Sequence, residues 1–531
     1  MSGARAEQGA PSPALPAEPK PIPSEIEIKF KADRPALERV LAVRQLQGAV
    51  VAPERELLSI YFDTAGRDLQ RAGLTFRLRR KGRSIPVLGV KWANETTGDL
   101  FTRGEVETRS PDGEPNIAHF EPAIRDRLKA ILGGRALEPV FKTHVKRRTA
   151  TIHHGHSEIE LALDDGVVLA NDQSLPLTEV ELELKRGSST DLLGLAHELA
   201  QDCGLSLAFE PKASKGYRLA EQAAVRPKKA MPMQLAPSAS FDDVIATVIA
   251  NCLAHFTVNW ASLRESDAPE SIHQMRVALR RLRSALSIFR KRIILPELED
   301  IRARARNIAT ALGPARECDA FRQNALAGPF LNQPNRLAAA ARLLEAVESR
   351  RVESYASARQ AIDDPATSLF VLDVHSFLVG RSWRTALGPG DLGLLTTPAR
   401  NFAHEVLDRL RRRALKRGKH LPDMPDQERH DLRIALKNLR YAVEFFGPLF
   451  EDDKEQRDFL RLVSDLQEDL GAHNDAATAE AFIGTLDLSV DPGAHFAAGY
   501  LLGFYRHATV VADTHLARRW KSFRRAGAFW A

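Results

Sequence analysis

Cysteine is nearly absent from this sequence. Cys203, Cys252 and Cys318 are the three in 531 residues, far apart and in no CxxC pair. A disulfide framework and a thiolate metal site therefore have no support, and a reducing compartment is expected. Aromatic residues are scarce at 7%, and they do not interleave with the basic runs, so base-stacking modes of nucleic-acid recognition have little support. No run reads as long enough to span a bilayer; the Leu501–Tyr505 neighbourhood is short and has polar flanks. The N-terminus lacks the apolar segment of a secretory signal. Residues 1–23 are rich in Ala, Pro and Gly and read as a disordered tail. The expectation is a cytoplasmic protein without a membrane partner.

What is present is an ordinary globular composition, 44% hydrophobic and 27% charged, which excludes disorder throughout. The length exceeds what one compact core supports, so two domains are expected. A formal net charge of +6 admits polyanionic partners without requiring them. Residues 24–221 alternate charged and apolar side chains and read as β-rich. Residues 222–238, which include Val225-Arg-Pro-Lys-Lys-Ala-Met-Pro-Met-Gln-Leu-Ala-Pro237, have the prolines and bases of an exposed linker. Residues 239–525 read as long amphipathic helices rich in Ala, Leu and Arg.

Side chains of a strand alternate between its two faces. In Glu25-Ile-Glu-Ile-Lys-Phe-Lys31 the set Glu25, Glu27, Lys29 and Lys31 shares one face, and Ile26, Ile28 and Phe30 take the other. The same sorting aligns Arg77, Arg79 and Lys81; sets Lys91 opposite Val90 and Trp92; and aligns Arg103, Glu105 and Glu107. It separates Arg147 from Lys146 and Arg148, aligns Glu158, Glu160 and Asp164, and aligns Glu179, Glu181, Glu183 and Lys185. One such strand is most simply the solvated face of an antiparallel sheet. Repeated across most strands, the pattern instead suits a sheet closed with its charged face inward. Clustered carboxylates call for a divalent cation, clustered Arg and Lys for phosphate oxygens. A metal-chelated polyphosphate chain satisfies both. The cluster His153, His154 and His156 falls in a turn and reads as solvated.

Glu25-Ile-Glu-Ile-Lys29 resembles the ExExK signature of the CYTH, or triphosphate tunnel metalloenzyme, superfamily. The later segments follow that superfamily's order: Tyr61-Phe-Asp-Thr64, Arg77/Arg79, Lys91, Arg103/Glu105, Arg147, Asp164, the Glu179–Glu183 strand and Lys212-Ala-Ser-Lys-Gly-Tyr-Arg218. The resemblance implies that Lys29, Lys31, Arg77, Arg79, Lys91, Arg103, Arg147 and Lys212 grip phosphate oxygens. It implies that Glu25, Glu27, Asp164, Glu179, Glu181 and Glu183 hold Mg²⁺ or Mn²⁺, the triple-Glu strand offering one more carboxylate than the simplest pattern needs. Lys29, with Glu105 or Glu107 orienting the attacking water, is expected to serve catalysis.

The helical half repeats itself. His273-Gln-Met-Arg-Val-Ala-Leu-Arg-Arg-Leu-Arg283 returns as His430-Asp-Leu-Arg-Ile-Ala-Leu-Lys-Asn-Leu-Arg440, and Leu312-Gly313 returns as Leu470-Gly471 at the same spacing to within one residue. At about 3.6 residues per turn, His273, Arg276, Arg280, Arg283 and Arg290 share a stripe, as do His430, Arg433, Lys437 and Arg440. A solvated face would mix in Glu; two basic stripes related by pseudo-symmetry would form a groove for an extended polyanion. The arrangement resembles the CHAD domain, which implies that these eight repeated residues, His273, Arg276, Arg280, Arg283, His430, Arg433, Lys437 and Arg440, bind inorganic polyphosphate. Asp319 and Asp475 read as ion-pair partners. The expected fold is α+β: an antiparallel β-tunnel closed as a barrel, with flanking helices, then an all-α domain of two pseudo-symmetric bundles. The expected activity is hydrolysis of inorganic triphosphate, at polyphosphate granules. Thiamine or nucleoside triphosphates, adenylate cyclisation, and non-catalytic polyphosphate binding stand as alternatives.

Overall fold

The computed structural model describes residues 24–93, 101–327, 334–387, 392–421, 424–450, 453–488 and 491–531; the tail expected over residues 1–23 lies outside them. The first part contains β1 (Ser24–Lys31), α1 (Arg34–Leu41), β2 (Arg55–Asp63), α2 (Asp68–Arg71), β3 (Leu74–Lys81), β4 (Val87–Ala93) and β5 (Thr102–Arg109). It continues through α3 (Pro122–Leu132), β6 (Glu138–His154), β7 (Ser157–Ala170), β8 (Gln173–Arg186), α4 (Ser189–Cys203), β9 (Ser206–Leu207) and α5 (Lys212–Glu221). The strands pair antiparallel in the order β5-β4-β3-β2-β6-β7-β8-β1. The start of β1 returns to β5 and closes an eight-stranded barrel, with the short β9 beside the end of β1.

Register decides which set of side chains faces inward, because a one-residue slip reverses every strand. Here Lys29 stands opposite Glu181 and Glu27 opposite Glu183, while Arg147 faces Asp164 and Asp164 faces Glu179. The apolar sets therefore point outward, where helices cover them. Ile28, Phe30, Leu161, Leu163, Val180 and Leu182 pack with Leu192, Leu195 and Leu199 of α4. Phe76, Leu78, Leu88 and Val90 pack with Leu128 and Leu132 of α3.

The helical part begins with α6 (Phe241–Thr257), α7 (Trp260–Glu265), α8 (Pro269–Phe289), α9 (Pro296–Ala311), α10 (Gly313–Ala327) and α11 (Pro334–Asp363). After α12 (Pro365–Val379) and α13 (Leu392–Thr396) come α14 (Ala399–Arg417), α15 (Asp426–Phe446), α16 (Asp453–Ile483) and α17 (Pro492–Arg525). The two repeats, or bundles, run in chain order as α6, α8, α9–α10, α11 and as α14, α15, α16, α17, and they share cores, α10 and α11 packing with α16 and α17. The repeat motifs sit on equivalent helices, α8 and α15, each 21 residues long. These two helices meet where Ser284 Oγ lies 3.4 Å from Asn438 Oδ1.

One reading of the sequence is corrected. The stretch Phe241–Glu265 is, by length and hydropathy, apolar enough to cross a membrane; 72% of its apolar 18-residue window is buried inside the protein, which is how a central core helix reads. The stretch expected as an exposed linker is largely exposed, and it is pinned to the helical part at a few points. Asn259 hydrogen-bonds both the N–H and the carbonyl of Lys228, Asn251 donates to the Met231 carbonyl, and Met233 is buried. Buried Asn side chains thus satisfy its backbone in place of water.

Candidate functional site

The inward faces of the barrel enclose a cavity of about 560 Å³. One end of the barrel is filled. Tyr61, Phe141, Val145, Val168 and Leu177 form an apolar plug, capped by Ala213 and Tyr217 of α5. The helix can seat there because residue 216 is glycine: a Cβ would overlap the Phe141 ring. That seating carries Lys212 and Lys215, one turn apart, into the charged interior.

Three buried carboxylates receive them. Lys212 Nζ lies 2.7 Å from Asp164 and 3.2 Å from Glu179 and also pairs with Glu181, while Lys215 pairs with Glu179. Arg147 forks onto both oxygens of Asp164 at 2.6 Å and reaches Glu181 at 2.6 Å. Lys29 pairs with Glu27 at 2.6 Å and with Glu181. Burial works against ionised Asp164, Glu179 and Glu181, but Lys212 and the neighbouring cations outweigh it and hold all three below the usual carboxylate range. Burial also opposes the charge of Lys29, and Glu181 and Glu27 overcome it, so its ammonium sits above its ordinary value.

The opposite wall is less evenly compensated. Arg77 lies flat across Gly89, where a Cβ would stand 3.1 Å from its Nε, and reaches Glu105 at 2.8 Å and Glu107 at 2.9 Å. Lys91 pairs with Glu25 and, at 3.1 Å, with Glu105. Burial and the neighbouring Glu105 nevertheless push Glu25 up. Burial raises Glu183 as well; Lys185 at 2.7 Å does not offset it, and the charges of Glu25 and Glu27 add to the rise. The same cavity holds the reverse imbalance. Arg79 forms no ion pair among the described residues and reaches only Ser59 Oγ at 3.3 Å. Burial, Arg77 and Arg147 lower its guanidinium to about 10. Burial and Arg79 likewise lower Lys81.

Surplus negative charge at Glu25 and Glu183 thus stands in the same cavity as surplus positive charge at Arg79 and Lys81. The donors around Glu25 are carboxylate oxygens, hard ligands that fit Mg²⁺ or Mn²⁺. Among the described residues no three of them are gathered closely enough to hold an ion in this arrangement, since Lys29, Lys91 and Arg77 occupy their oxygens.

In the helical part the stripe of α8 faces that of α15. Arg276 covers Gly313 and Arg433 covers Gly471, where a Cβ would stand 3.4 and 3.6 Å from the respective guanidinium nitrogens. The two repeated motifs of each bundle are therefore in contact. Burial lowers Arg276, Arg283 and Arg433, helped by neighbouring arginines. Lys437 is lowered to about 7 by burial and by Arg280, Arg433 and Arg440. His273 is half-buried and pushed down by burial and Arg316, whereas His430 is exposed beside Asn474. Asp319 accepts from Arg351 at 2.8 Å and from Tyr355 at 2.7 Å, a structural pairing.

Comparison with known proteins matches residues 23–217 to the CYTH domain and residues 247–484 to the CHAD domain. The chain carries a CYTH domain followed by a CHAD domain. An inorganic triphosphatase of Haemophilus influenzae is 25% identical over 164 residues, 30% of this chain and 44% of that protein. An uncharacterized protein of Mycobacterium tuberculosis is 25% identical over 313 residues, 56% of this chain and 58% of its own length. The chain thus spans about half the length of these curated relatives. The solved CHAD domain of the plant Ricinus communis, 27% identical, covers 57% of this chain and 98% of its own, with a TM-score of 0.49.

In the CYTH domain the cavity is lined by Glu25, Glu27, Lys29, Arg77, Arg79, Lys91, Arg103, Glu105, Glu107, Arg147, Glu181, Glu183 and Lys212, all singled out from the sequence. Three residues depart from expectation. Lys31 shares the face of Lys29 but lies past the barrel's end; its side chain is 58% exposed and 3.4 Å from Asp363 of α11. Asp164 and Glu179 do not line the cavity; they sit fully buried beneath Lys212, Asp164 with both oxygens bonded and Glu179 with Oε1 paired to Lys215 and Oε2 3.2 Å from Lys212 but accepting no hydrogen bond. Sequence reasoning passed over Arg55, Tyr61, Lys81, Glu160 and Lys185 as site residues, although all line the cavity. Arg55 and Tyr61 are in phase on β2, but the intervening Leu57 and Ser59 mask the pattern. Lys215 was also missed, being a helical rather than a strand neighbour of Lys212.

Proposed function

We propose that the CYTH domain hydrolyses triphosphate chains, cleaving inorganic triphosphate to pyrophosphate and phosphate with Mg²⁺ or Mn²⁺, and that the CHAD domain binds inorganic polyphosphate. The observation that carries the reading is the split imbalance of the cavity, with under-compensated carboxylates and under-compensated cations in one enclosure. A metal-chelated polyanion neutralises both. Glu25, Glu27, Glu105 and Glu183 would hold the metal, which would neutralise charge on the phosphate oxygens. Arg79, Arg77, Arg103, Arg147, Lys29 and Lys212 bind and straighten the chain. Glu107 or Glu105 accepts a proton from the water that attacks the terminal phosphorus. The name of the Haemophilus relative supports the inorganic substrate. So does the scarcity of aromatic surface for a base: among the described residues lining the cavity the aromatics are Tyr61 and Trp92, and Trp92 is packed against Gly104 and beneath Arg127.

The deciding assay is phosphate release from inorganic triphosphate, ATP, thiamine triphosphate and long-chain polyphosphate with Mg²⁺ or Mn²⁺. Inorganic triphosphate should be preferred, and Glu27→Ala and Lys29→Ala should each lower kcat/KM by about 10²-fold or more. Silence of the wild type on all four substrates, with polyphosphate binding intact, would leave a binding protein.

The CHAD groove has its own signature. Bound polyanion favours the charged form of Lys437, which is largely neutral in the free protein above about pH 7. Affinity for polyphosphate at fixed ionic strength should therefore weaken as pH rises from 7 towards about 9. Lys437→Met should flatten that dependence. An identical pH profile in the variant would place the polyanion elsewhere.

A further inference from the structure

The helix that seals the barrel is gripped from outside by the helical part. α7 lies within the residues matched to the CHAD domain and ends in Arg264 and Glu265. The Arg264 side chain is 12% exposed; its guanidinium donates to the Leu207 carbonyl at 2.8 Å and to Ser206 Oγ at 2.6 Å, both in β9, and pairs with Asp363. Glu265 lies 2.6 Å from Arg218 of α5, which also forks onto Glu210 at 3.1 and 3.2 Å. Between these ties Trp260 of α7, itself buried, meets Phe209 with ring centroids 5.2 Å apart. One short helix therefore holds residues 206–218 at the start, in the middle and at the end.

Those residues carry Lys212, which lines the cavity and is the shared counter-ion of Asp164, Glu179 and Glu181. Apolar contact already seats α5, through Ala213 and Tyr217. Such contact is non-directional and leaves a helix room to turn or slide. A guanidinium held by a carbonyl, a hydroxyl and a carboxylate fixes direction as well as distance. α7 can serve as the fixed point, because Arg359 of α11 donates to the Leu263 carbonyl at 3.0 Å and pairs with Asp267 just beyond the helix end.

We propose that Arg264 and Glu265 of the CHAD domain are positioning residues for the CYTH site, holding Lys212 where the phosphate chain must meet it. The effect on catalysis rests on the triphosphatase reading; the grip rests on geometry alone.

The test uses the full chain carrying Arg264→Met together with Glu265→Gln, which nearly keeps side-chain length and removes both charges. Neither residue lines the cavity. With inorganic triphosphate and Mg²⁺, kcat/KM should fall at least about 10-fold, within the roughly 10²-fold that a displacement of about 1 Å can cost. The same pair introduced into Lys212→Gln should cost less than about twofold, because the group they place is already gone. Support of the barrel unrelated to Lys212 would instead cost the same factor in both backgrounds. That equal loss, or a kcat/KM of the double variant within about twofold of wild type, overturns the proposal.

Hydrogen exchange gives a readout without turnover. Amides of α5 should exchange at least about 10-fold faster in the double variant, and those of α3, which covers another part of the barrel, at the wild-type rate. Unchanged exchange in α5, or equal acceleration in α3, overturns the grip whether or not the protein is active. Faster exchange confined to α5, in a protein whose wild type releases no phosphate, upholds the grip and overturns the triphosphatase reading together with the catalytic effect.

Discussion

Replacing Glu181 with alanine should destabilise the barrel by about 3–5 kcal/mol, the cost of leaving buried charge unpaired, and should abolish phosphate release. This carboxylate is the meeting point of Lys29, Arg147 and Lys212, and its side chain is only 6% exposed. Without it three cations crowd together with Asp164, Glu179 and Glu27 as their remaining compensation. Glu181→Gln, which keeps the shape and one acceptor, should cost less. Equilibrium urea unfolding followed by barrel tryptophan fluorescence would measure the difference; equal stability of wild type and Glu181→Ala would show that the cations relax into solvent instead.

The pH dependence of this core has a definite sign. Asp164, Glu179 and Glu181 are all held below their unfolded values. Their contribution is therefore complete above the unfolded carboxylate range near about pH 4, and it is lost as pH falls through the lower, folded values. The wild-type barrel should consequently lose stability steeply on acidification, and Glu181→Ala should lose less, having surrendered part of that contribution already.

Gly216→Val should be the most damaging substitution at a residue that touches no substrate. A side chain at 216 meets the Phe141 ring and forces α5 off the barrel's end. Lys212 and Lys215 leave with it, and Asp164, Glu179 and Glu181 lose their cations. Displacing a binding group by about 1 Å can cost about 10²-fold in rate, so kcat/KM should fall at least that far while the CHAD domain still binds polyphosphate. Gly499→Ala is the matched control. No atom lies within 4 Å of the added carbon on α17, so activity should be unchanged and the helix slightly more stable, by up to about 1 kcal/mol. Equal loss in both variants would refute the docking argument.

The barrel was legible in the sequence because its signal is local. Alternation along β1, β3, β5 and β8 separates Glu25, Glu27 and Lys29 from Ile26, Ile28 and Phe30 whatever the neighbours are, and the structure turns the first set inward. The repeat was legible for the same reason, since His273–Arg283 and His430–Arg440 carry both motif and period. One local signal misled. Lys31 is in phase with Lys29 but two residues nearer the strand's end, where Asp363 of α11 draws it away. The prolines of residues 222–238 pointed to an exposed stretch, and most of it is exposed, with Asn251 and Asn259 pinning its backbone at Met231 and Lys228.

The sequence by itself determined the two-part architecture, the inward charge of the barrel, the paired basic stripes and most residues lining the cavity. Each follows from side-chain periodicity, a property of neighbours along the chain. Only the tertiary structure decided that Asp164 and Glu179 lie beneath the cavity, that α5 seals one end, and that α8 meets α15 at Ser284 and Asn438. Those outcomes depend on strand register, helix docking and the approach of two bundles. They are set by contacts between residues far apart in sequence, and no local pattern encodes them.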